Sequence, residues 1–155
     1  MKHSDGAPIL SDRAGAIQDA ARTFASEVMR PVGKALDLLT EPKDVVSETS
    51  KLWDIIKRHR KIGLHRIALP GDIAEVTDQS DPKIRALVVE ALGTGDAGLA
   101  MGLCSDSIPF EIAAISGAHD LETLARAYAG DDKGELVGCL IYIPPESLGQ
   151  LAIGR

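Results

Sequence analysis

Apolar residues recur at spacings of three and four over much of the chain, which is the period of an amphipathic helix. The first such stripe follows Asp12, a plausible helix N-cap, and consists of Ala14, Ile17, Ala21, Phe24 and Val28. Pro31 is expected to end this helix, because proline has no backbone N–H and clashes with the preceding turn. The pattern predicts an amphipathic helix with a narrow face of mostly small side chains.

A second helix is predicted from about Ser47, with Thr49, Leu52, Trp53 and Ile56 on one face, and a left-handed cap at Gly63. Trp53 is interpreted as its core anchor. The basic run of residues 57–61 has two interpretations, a site for phosphate or an acidic partner and a solvated helix end. We favour the solvated end, because cations complement the dipole at a helix C-terminus. The segments 40–46 and 63–81 are predicted to be loops.

The central stretch contains Gly93, Gly95 and Gly98 in the G-x-G-x-x-G spacing of dinucleotide-binding loops. Such a loop must follow a strand, whereas the residues before Gly93 have a helical period and begin at Asp81-Pro82. We therefore interpret the glycines as a joint between two closely packed helices, with Asp96 capping the second. Pro109 is expected to break or kink that second helix.

The C-terminal part predicts a change of structure. Asp120 is a cap candidate for a short helix that ends near Gly130, and the run from Glu135 to Ile143 is the best strand candidate. The predicted fold is mainly α: a flexible lead-in over residues 1–13 and a helical bundle over 14–133. Residues 134–155 are predicted to begin an incomplete β domain.

Composition and motifs narrow the function. With 155 residues, 45% hydrophobic and a net charge of −6, the chain fits one soluble domain that is cytoplasmic by default and has no drive toward nucleic acid or membrane. Cys104 and Cys139 fit reduced core thiols. The four histidines have no metal-ligand spacing, and no arrangement of nucleophile and base is recognisable. No catalytic residue and no metal ligand is predicted.

The order of elements resembles the N-terminal helical domain of acyl-CoA dehydrogenases over nearly the whole chain. The segments AARTFASEVMRPVGKALD, LWDIIKRHRKIGL and VVEALGTGDAGLAM resemble its first helix, its second helix and its acidic helix–helix joint, and Leu69-Pro70 lies where the family places a turn. The resemblance implies a flavoprotein that uses FAD to oxidise the α,β bond of an acyl-CoA thioester. It also implies a homo- or hetero-oligomer, and a catalytic carboxylate supplied by a later part of the family's chain.

The resemblance also assigns contact residues. The helix after Gly98 would line the far end of the acyl pocket through Leu99, Leu103 and Ser107, although these residues fit an ordinary bundle core equally well. The family's flavin-contacting Thr-Glu-Pro and Gly-Ser-Asp runs are diverged here: Ile143, Pro144, Gly149 and Gln150 occupy the Thr, Glu, Ser and Asp positions, and Pro145 alone is retained. Two alternatives therefore stay open, a non-catalytic subunit that pairs with a flavin-bearing partner and a helical binding domain unrelated to flavin.

Overall fold

The structure is a computed structural model that describes residues 12–74 and 82–139 of the chain. The described part is mainly helical, which confirms the predicted helical bundle. The predicted cap at Asp81 lies outside the described residues, as do the flavin-contact positions Ile143, Pro144 and Gly149.

The first helical stretch is longer than predicted, because Pro31 does not end it. Helix α1 (Asp12–Phe24) continues through a π-helical turn (Ala25–Met29) into α2 (Arg30–Asp37). Within that turn the Arg30 N–H donates to the Ala25 carbonyl, five residues earlier. The wider turn changes the hydrogen-bond pairing immediately before the proline, whose missing N–H and ring would disrupt a regular helix. The helix therefore passes the proline.

The next elements are short apart from α4. Helix α3 (Pro42–Val45) lies where a loop was predicted, and α4 spans Lys51–Lys61, with the Ser50 side chain capping its first turn. Gly63 follows α4 with φ of 75°, which confirms the predicted left-handed cap. A 3₁₀ helix (Leu64–Ala68) and α5 (Gly71–Ala74) lie within the predicted loop that follows.

The central pair of helices has the predicted joint. Helix α6 (Pro82–Gly93) leads through three residues into α7 (Ala97–Ile115). Asp96 precedes α7, and its Oδ1 accepts a hydrogen bond from the Leu99 N–H at 2.8 Å, so the predicted cap is confirmed. Pro109 lies inside α7, which continues on both sides of it.

Helix α8 (His119–Gly130) ends where predicted, but its N-cap is Ala118, and Asp120 lies in its first turn instead of capping it. The predicted strand is not seen in residues 135–139, and its remaining residues lie outside the described part of the chain.

The buried apolar side chains form two clusters. The larger cluster joins α1, α4 and α6 to the N-terminal half of α7 and includes Ala21, Met29, Ile55, Leu92 and Leu103. The smaller cluster joins α5 and α8 to the C-terminal half of α7 and is built around Phe110 and Tyr128. Helix α7 therefore belongs to both clusters, and polar groups at its centre lie between them.

Candidate functional site

A buried ion pair lies at the centre of α7. An Nη2 hydrogen of Arg60, from α4, is donated to Asp106 Oδ2 at 2.5 Å, and the side chains of these residues are 0% and 6% exposed. The carboxylate also accepts hydrogen bonds from the Tyr128 hydroxyl (3.0 Å) and from the Gly138 N–H (2.6 Å). One carboxylate thus joins α4, α7, α8 and the segment that follows α8.

Aromatic side chains surround this ion pair. The Arg60 guanidinium carbon lies 4.0 Å from the centroid of the Tyr128 ring, a cation–π arrangement. The same ring stacks on Phe110 at 3.9 Å and meets the edge of His65 at 5.4 Å. Burial first, and then the Asp106 charge, raises the pKa of Tyr128 above its usual value. The hydroxyl therefore remains protonated and acts as a donor to Asp106.

The segment after α8 is fixed to the same network. Arg60 Nη2 donates to the Leu136 carbonyl at 2.9 Å, and Asp131 Oδ2 accepts the Leu136 N–H at 2.8 Å. Burial pushes the pKa of Asp131 up, but backbone N–H groups outweigh it and the pKa is lowered overall. A Cβ atom at Gly138 would clash with the Asp106 carbonyl, so glycine is required for this approach. The network therefore sets the course of the chain from residue 131 to 138.

Two buried histidines lie beside Arg60. Burial and the Arg60 charge lower the pKa of His59 to about 3 and that of His65 to about 4, so both rings are neutral at pH 7. His65 Nε2 lies 3.3 Å from the Ala129 carbonyl, and the Nδ1 atoms of both rings have no hydrogen-bond partner among the described residues. The rings are therefore held uncharged inside the bundle.

Leu103 and Ser107, two of the three predicted acyl-contact residues, line one cavity between α6, α7 and the 3₁₀ helix. The cavity measures about 30 Å³ and is also lined by His59 and His65. Leu99 lies one turn away, half-buried against the larger apolar cluster, and does not line it. Because a cavity of this size holds only about two or three water molecules, an acyl chain requires these side chains to move apart.

The same cavity has polar groups on the α7 side. The Ser107 hydroxyl lies 2.9 Å from the Cys104 carbonyl and 2.7 Å from Glu111 Oε1, and Glu111 makes a two-bond ion pair with Arg85. Burial raises the pKa of the Cys104 thiol. Cys104 is therefore a protonated thiol at neutral pH and is not itself an activated nucleophile.

The joint between α6 and α7 packs against the π-helical turn of the first helix. A Cβ atom at Gly95 would lie 2.5 Å from the Ala25 carbonyl oxygen, and the carboxylate of Asp96 fills the space where a Cβ at Gly33 would lie. Arg30 Nη2 also donates to the Thr94 carbonyl at 2.7 Å. A helix precedes the glycines, so this is not the strand–loop–helix arrangement that binds dinucleotides.

Two interpretations of the sequence are corrected by burial. In the basic run, Lys57, Arg58 and Lys61 are exposed, but His59 and Arg60 are buried. Arg60 pairs with Asp106, and the His59 ring lies 5.9 Å from the ring of Phe24. Both cysteines are free thiols; Cys104 is half-buried, whereas Cys139 is exposed and is not a core thiol. Trp53 is half-buried and donates its indole N–H to the Ser47 carbonyl at 2.7 Å, so it is both a packing and a hydrogen-bonding residue.

Helix α7 is strongly apolar along its length. Within the described ranges it is the one helix long and apolar enough to cross a bilayer by length and composition, with a mean hydropathy of 1.3. Asp106 lies at its centre, paired with Arg60, and α6 and α8 pack against it. A share of 33% of its apolar window is buried, so α7 has one face in the core of the bundle and one exposed face.

Comparison with known proteins adds no relative. No family model, no curated protein and no solved structure matches the chain. Among residues 12–74 and 82–139, no group of three or more His, Cys, Asp or Glu side chains is placed to hold a metal ion. The class defined by the described residues is therefore a helical bundle with a buried Arg–Asp–Tyr network.

Proposed function

We propose that this chain is the N-terminal portion of an acyl-CoA dehydrogenase-like flavoprotein, which oxidises the α,β bond of an acyl-CoA thioester. The observation that carries the proposal is the joint between α6 and α7, where the segment most similar to the family, Val88 to Met101, forms a helix, an acidic cap and a second helix. The two earlier segments that resemble the family, Ala20 to Asp37 and Leu52 to Leu64, are also largely helical here.

In this proposal the chain contributes contacts and no catalytic base. Leu99, Leu103 and Ser107 lie on α7. Leu103 and Ser107 are also buried in the core of the bundle. An acyl tail would enter between α6 and α7 and displace the side chains that line the 30 Å³ cavity. FAD belongs to the proposal through the resemblance alone, because Ile143, Pro144 and Gly149 lie outside the described residues.

A second candidate is a non-catalytic subunit that keeps the helical domain as an interaction module and pairs with a flavin-bearing partner. The small volume of the cavity favours it, because a chain that binds no acyl tail needs no larger space. The diverged positions Ile143, Pro144, Gly149 and Gln150 favour it as well, since they lack the hydroxyl and carboxylate groups that a flavin edge would bond.

Purifying and assaying the full chain distinguishes the two candidate functions. The full chain is purified, its visible absorption is recorded, and acyl-CoA is supplied with an electron acceptor. The first candidate predicts that this chain alone binds acyl-CoA but does not turn it over. The second candidate predicts neither binding nor turnover of acyl-CoA, and it predicts that a larger flavoprotein co-purifies with the chain. Turnover with bound flavin by the chain alone would refute the statement that it lacks a catalytic base.

A further inference from the structure

Arg66 carries a charge that no described residue neutralises. It lies in the 3₁₀ helix and is half-buried, and its Nε is buried without a hydrogen-bond partner. Its side chain makes no hydrogen bond and no ion pair within residues 12–74 and 82–139. A guanidinium does not lose its proton in a protein, and a partly buried charge needs a counter-ion or acceptors. Arg66 is therefore a cation that lacks a partner.

Capping of the neighbouring helix does not explain Arg66. Cations often bond the unpaired carbonyls at a helix C-terminus. The last three carbonyls of α8 are already bonded: Tyr128 to the Asp131 N–H, Ala129 to His65 Nε2, and Gly130 to the Asp132 N–H. The end of α8 is thus satisfied without the guanidinium.

Arg66 lines a cavity between the 3₁₀ helix, α5 and α8, which we call the Arg66 pocket. The pocket measures about 110 Å³, more than three times the 30 Å³ of the cavity between α6 and α7. Its other lining residues are Ile73, Ala74, Arg126, Ala129 and Gly130. Apart from Arg126 these residues are small or apolar, so their side chains offer Arg66 no acceptor. A concave site with apolar walls and a few polar groups is the usual form of a small-molecule site.

The charge of the Arg66 pocket selects the class of ligand. Glu122 Oε1 accepts hydrogen bonds from Arg126 Nε at 3.1 Å and Nη2 at 2.7 Å, and the Asp72 carbonyl accepts from Nη1 at 3.1 Å. The charge of Arg126 is thereby offset, and Arg66 leaves the pocket with a single positive charge. A monoanion matches this charge. A carboxylate also matches the shape, because its two oxygens accept from two N–H groups on one edge of a guanidinium.

We propose that the Arg66 pocket binds a small aliphatic monocarboxylate, whose carboxylate pairs with the Arg66 guanidinium and whose hydrocarbon part packs against Ile73 and Ala129. The apolar walls suit a short hydrocarbon chain, and their low polarity strengthens the attraction between the two charges. Arg66 does not line the cavity between α6 and α7, so this site is separate from the acyl contacts of the proposed function.

The test titrates the ¹⁵N-labelled full chain with butanoate, with chloride at equal ionic strength as the control. The Arg66 Nε–H and the Ala129 and Gly130 amides should shift and saturate with a dissociation constant on the order of 1 mM. Arg66→Met should weaken binding at least tenfold. Arg58→Met removes an exposed arginine of α4 and is the matched control, which should leave binding unchanged.

A second variant tests the cavity without removing a charge. A Cβ atom at Gly130 meets nothing within 4 Å, so Gly130→Leu can place its side chain in the pocket. This variant should also weaken butanoate binding at least tenfold. Binding that survives Gly130→Leu unchanged would place the carboxylate outside the pocket and overturn the proposal.

Thermal melts separate binding from a structural role of Arg66. Because Arg66 has no described partner to lose, Arg66→Met should melt no lower than the wild type without butanoate, and butanoate should raise the melting temperature of the wild type alone. A lower melting temperature for Arg66→Met would overturn the proposal. So would the absence of shifts at about 20 mM butanoate, or tighter binding of inorganic phosphate than of butanoate. Neither flavin nor acyl-CoA is used, so failure here is distinct from failure of the proposed function.

Discussion

Removing the Asp106 carboxylate should destabilise the protein more than any surface substitution. In Asp106→Ala the Arg60 guanidinium, whose side chain is fully buried, loses its hydrogen-bonded counter-ion and keeps only Asp131, whose Oδ2 lies 3.9 Å from Arg60 Nε. Breaking a buried ion pair by removing one partner costs about 3–5 kcal/mol. The Tyr128 hydroxyl and the Gly138 N–H also lose their acceptor, at about 1 kcal/mol each. Against a total stability of about 5–15 kcal/mol, we expect a loss of at least 4 kcal/mol.

Urea unfolding measures this loss. The fluorescence of Trp53, the one tryptophan of the chain, and far-UV circular dichroism are followed together. The matched control is Glu122→Ala, which removes the carboxylate of the exposed Glu122–Arg126 pair, whose Oε1 to Nη2 distance is 2.7 Å. Exposed pairs of this kind contribute about 0.5 kcal/mol or less, so the control should change little.

A double replacement separates charge from packing. Arg60→Met combined with Asp106→Leu removes both charges and keeps apolar volume, and such replacements are often neutral. The double variant should therefore be more stable than Asp106→Ala. If the free energy of unfolding of Asp106→Ala lies within about 1 kcal/mol of the wild-type value, the buried network does not hold the two apolar clusters together, and this reasoning is refuted.

Two further predictions concern the joint and the buried histidines. Gly95→Val should lower the free energy of unfolding by more than about 2 kcal/mol, because its Cβ would meet the Ala25 carbonyl at 2.5 Å. Gly102→Ala is the control, because a Cβ there meets nothing within 4 Å, and it should stabilise the protein by about 0.5–1 kcal/mol. Thermal melts compare the two variants. Equal effects on stability would contradict close packing at the joint. Stability should fall as pH drops below about 6.5, because unfolded histidine takes up a proton that folded His59 and His65, with pKa values of about 3 and 4, do not. Urea midpoints measured from pH 7 to pH 4 check this sign, and a His59→Phe variant with an unchanged pH slope would contradict it.

Local patterns predicted the helices well and the long-range network poorly. The joint at Gly93 to Asp96 was predicted because the helical period, the glycines and the capping residue Asp96 lie next to one another in the sequence. The prediction that Pro31 ends the first helix was wrong. A π-helical turn accommodates the proline, and the spacing of apolar residues gives no sign of such a turn. The strand prediction for Glu135 to Ile143 rested on composition; its described residues, 135–139, are held by hydrogen bonds from Arg60 to the Leu136 carbonyl and from the Gly138 N–H to Asp106.

The ion pair itself had a signal that could have been used. Arg60 continues the stripe of Leu52 and Ile56 by one turn, and Asp106 lies within the apolar row of Leu103 and Phe110. A charged residue on the apolar face of each of two helices suggests a buried pair, since neither charge can be buried alone. Their separation of 46 positions gives no local indication that they meet.

Acyl-CoA binding is the most direct test of the proposed function. The ¹⁵N-labelled full chain is titrated with a long-chain acyl-CoA and, as the control, with free coenzyme A. The account predicts saturable shifts of the Leu99, Leu103 and Ser107 amides with acyl-CoA that free coenzyme A does not reproduce. Amides on α7 that stay unshifted at millimolar acyl-CoA would contradict it.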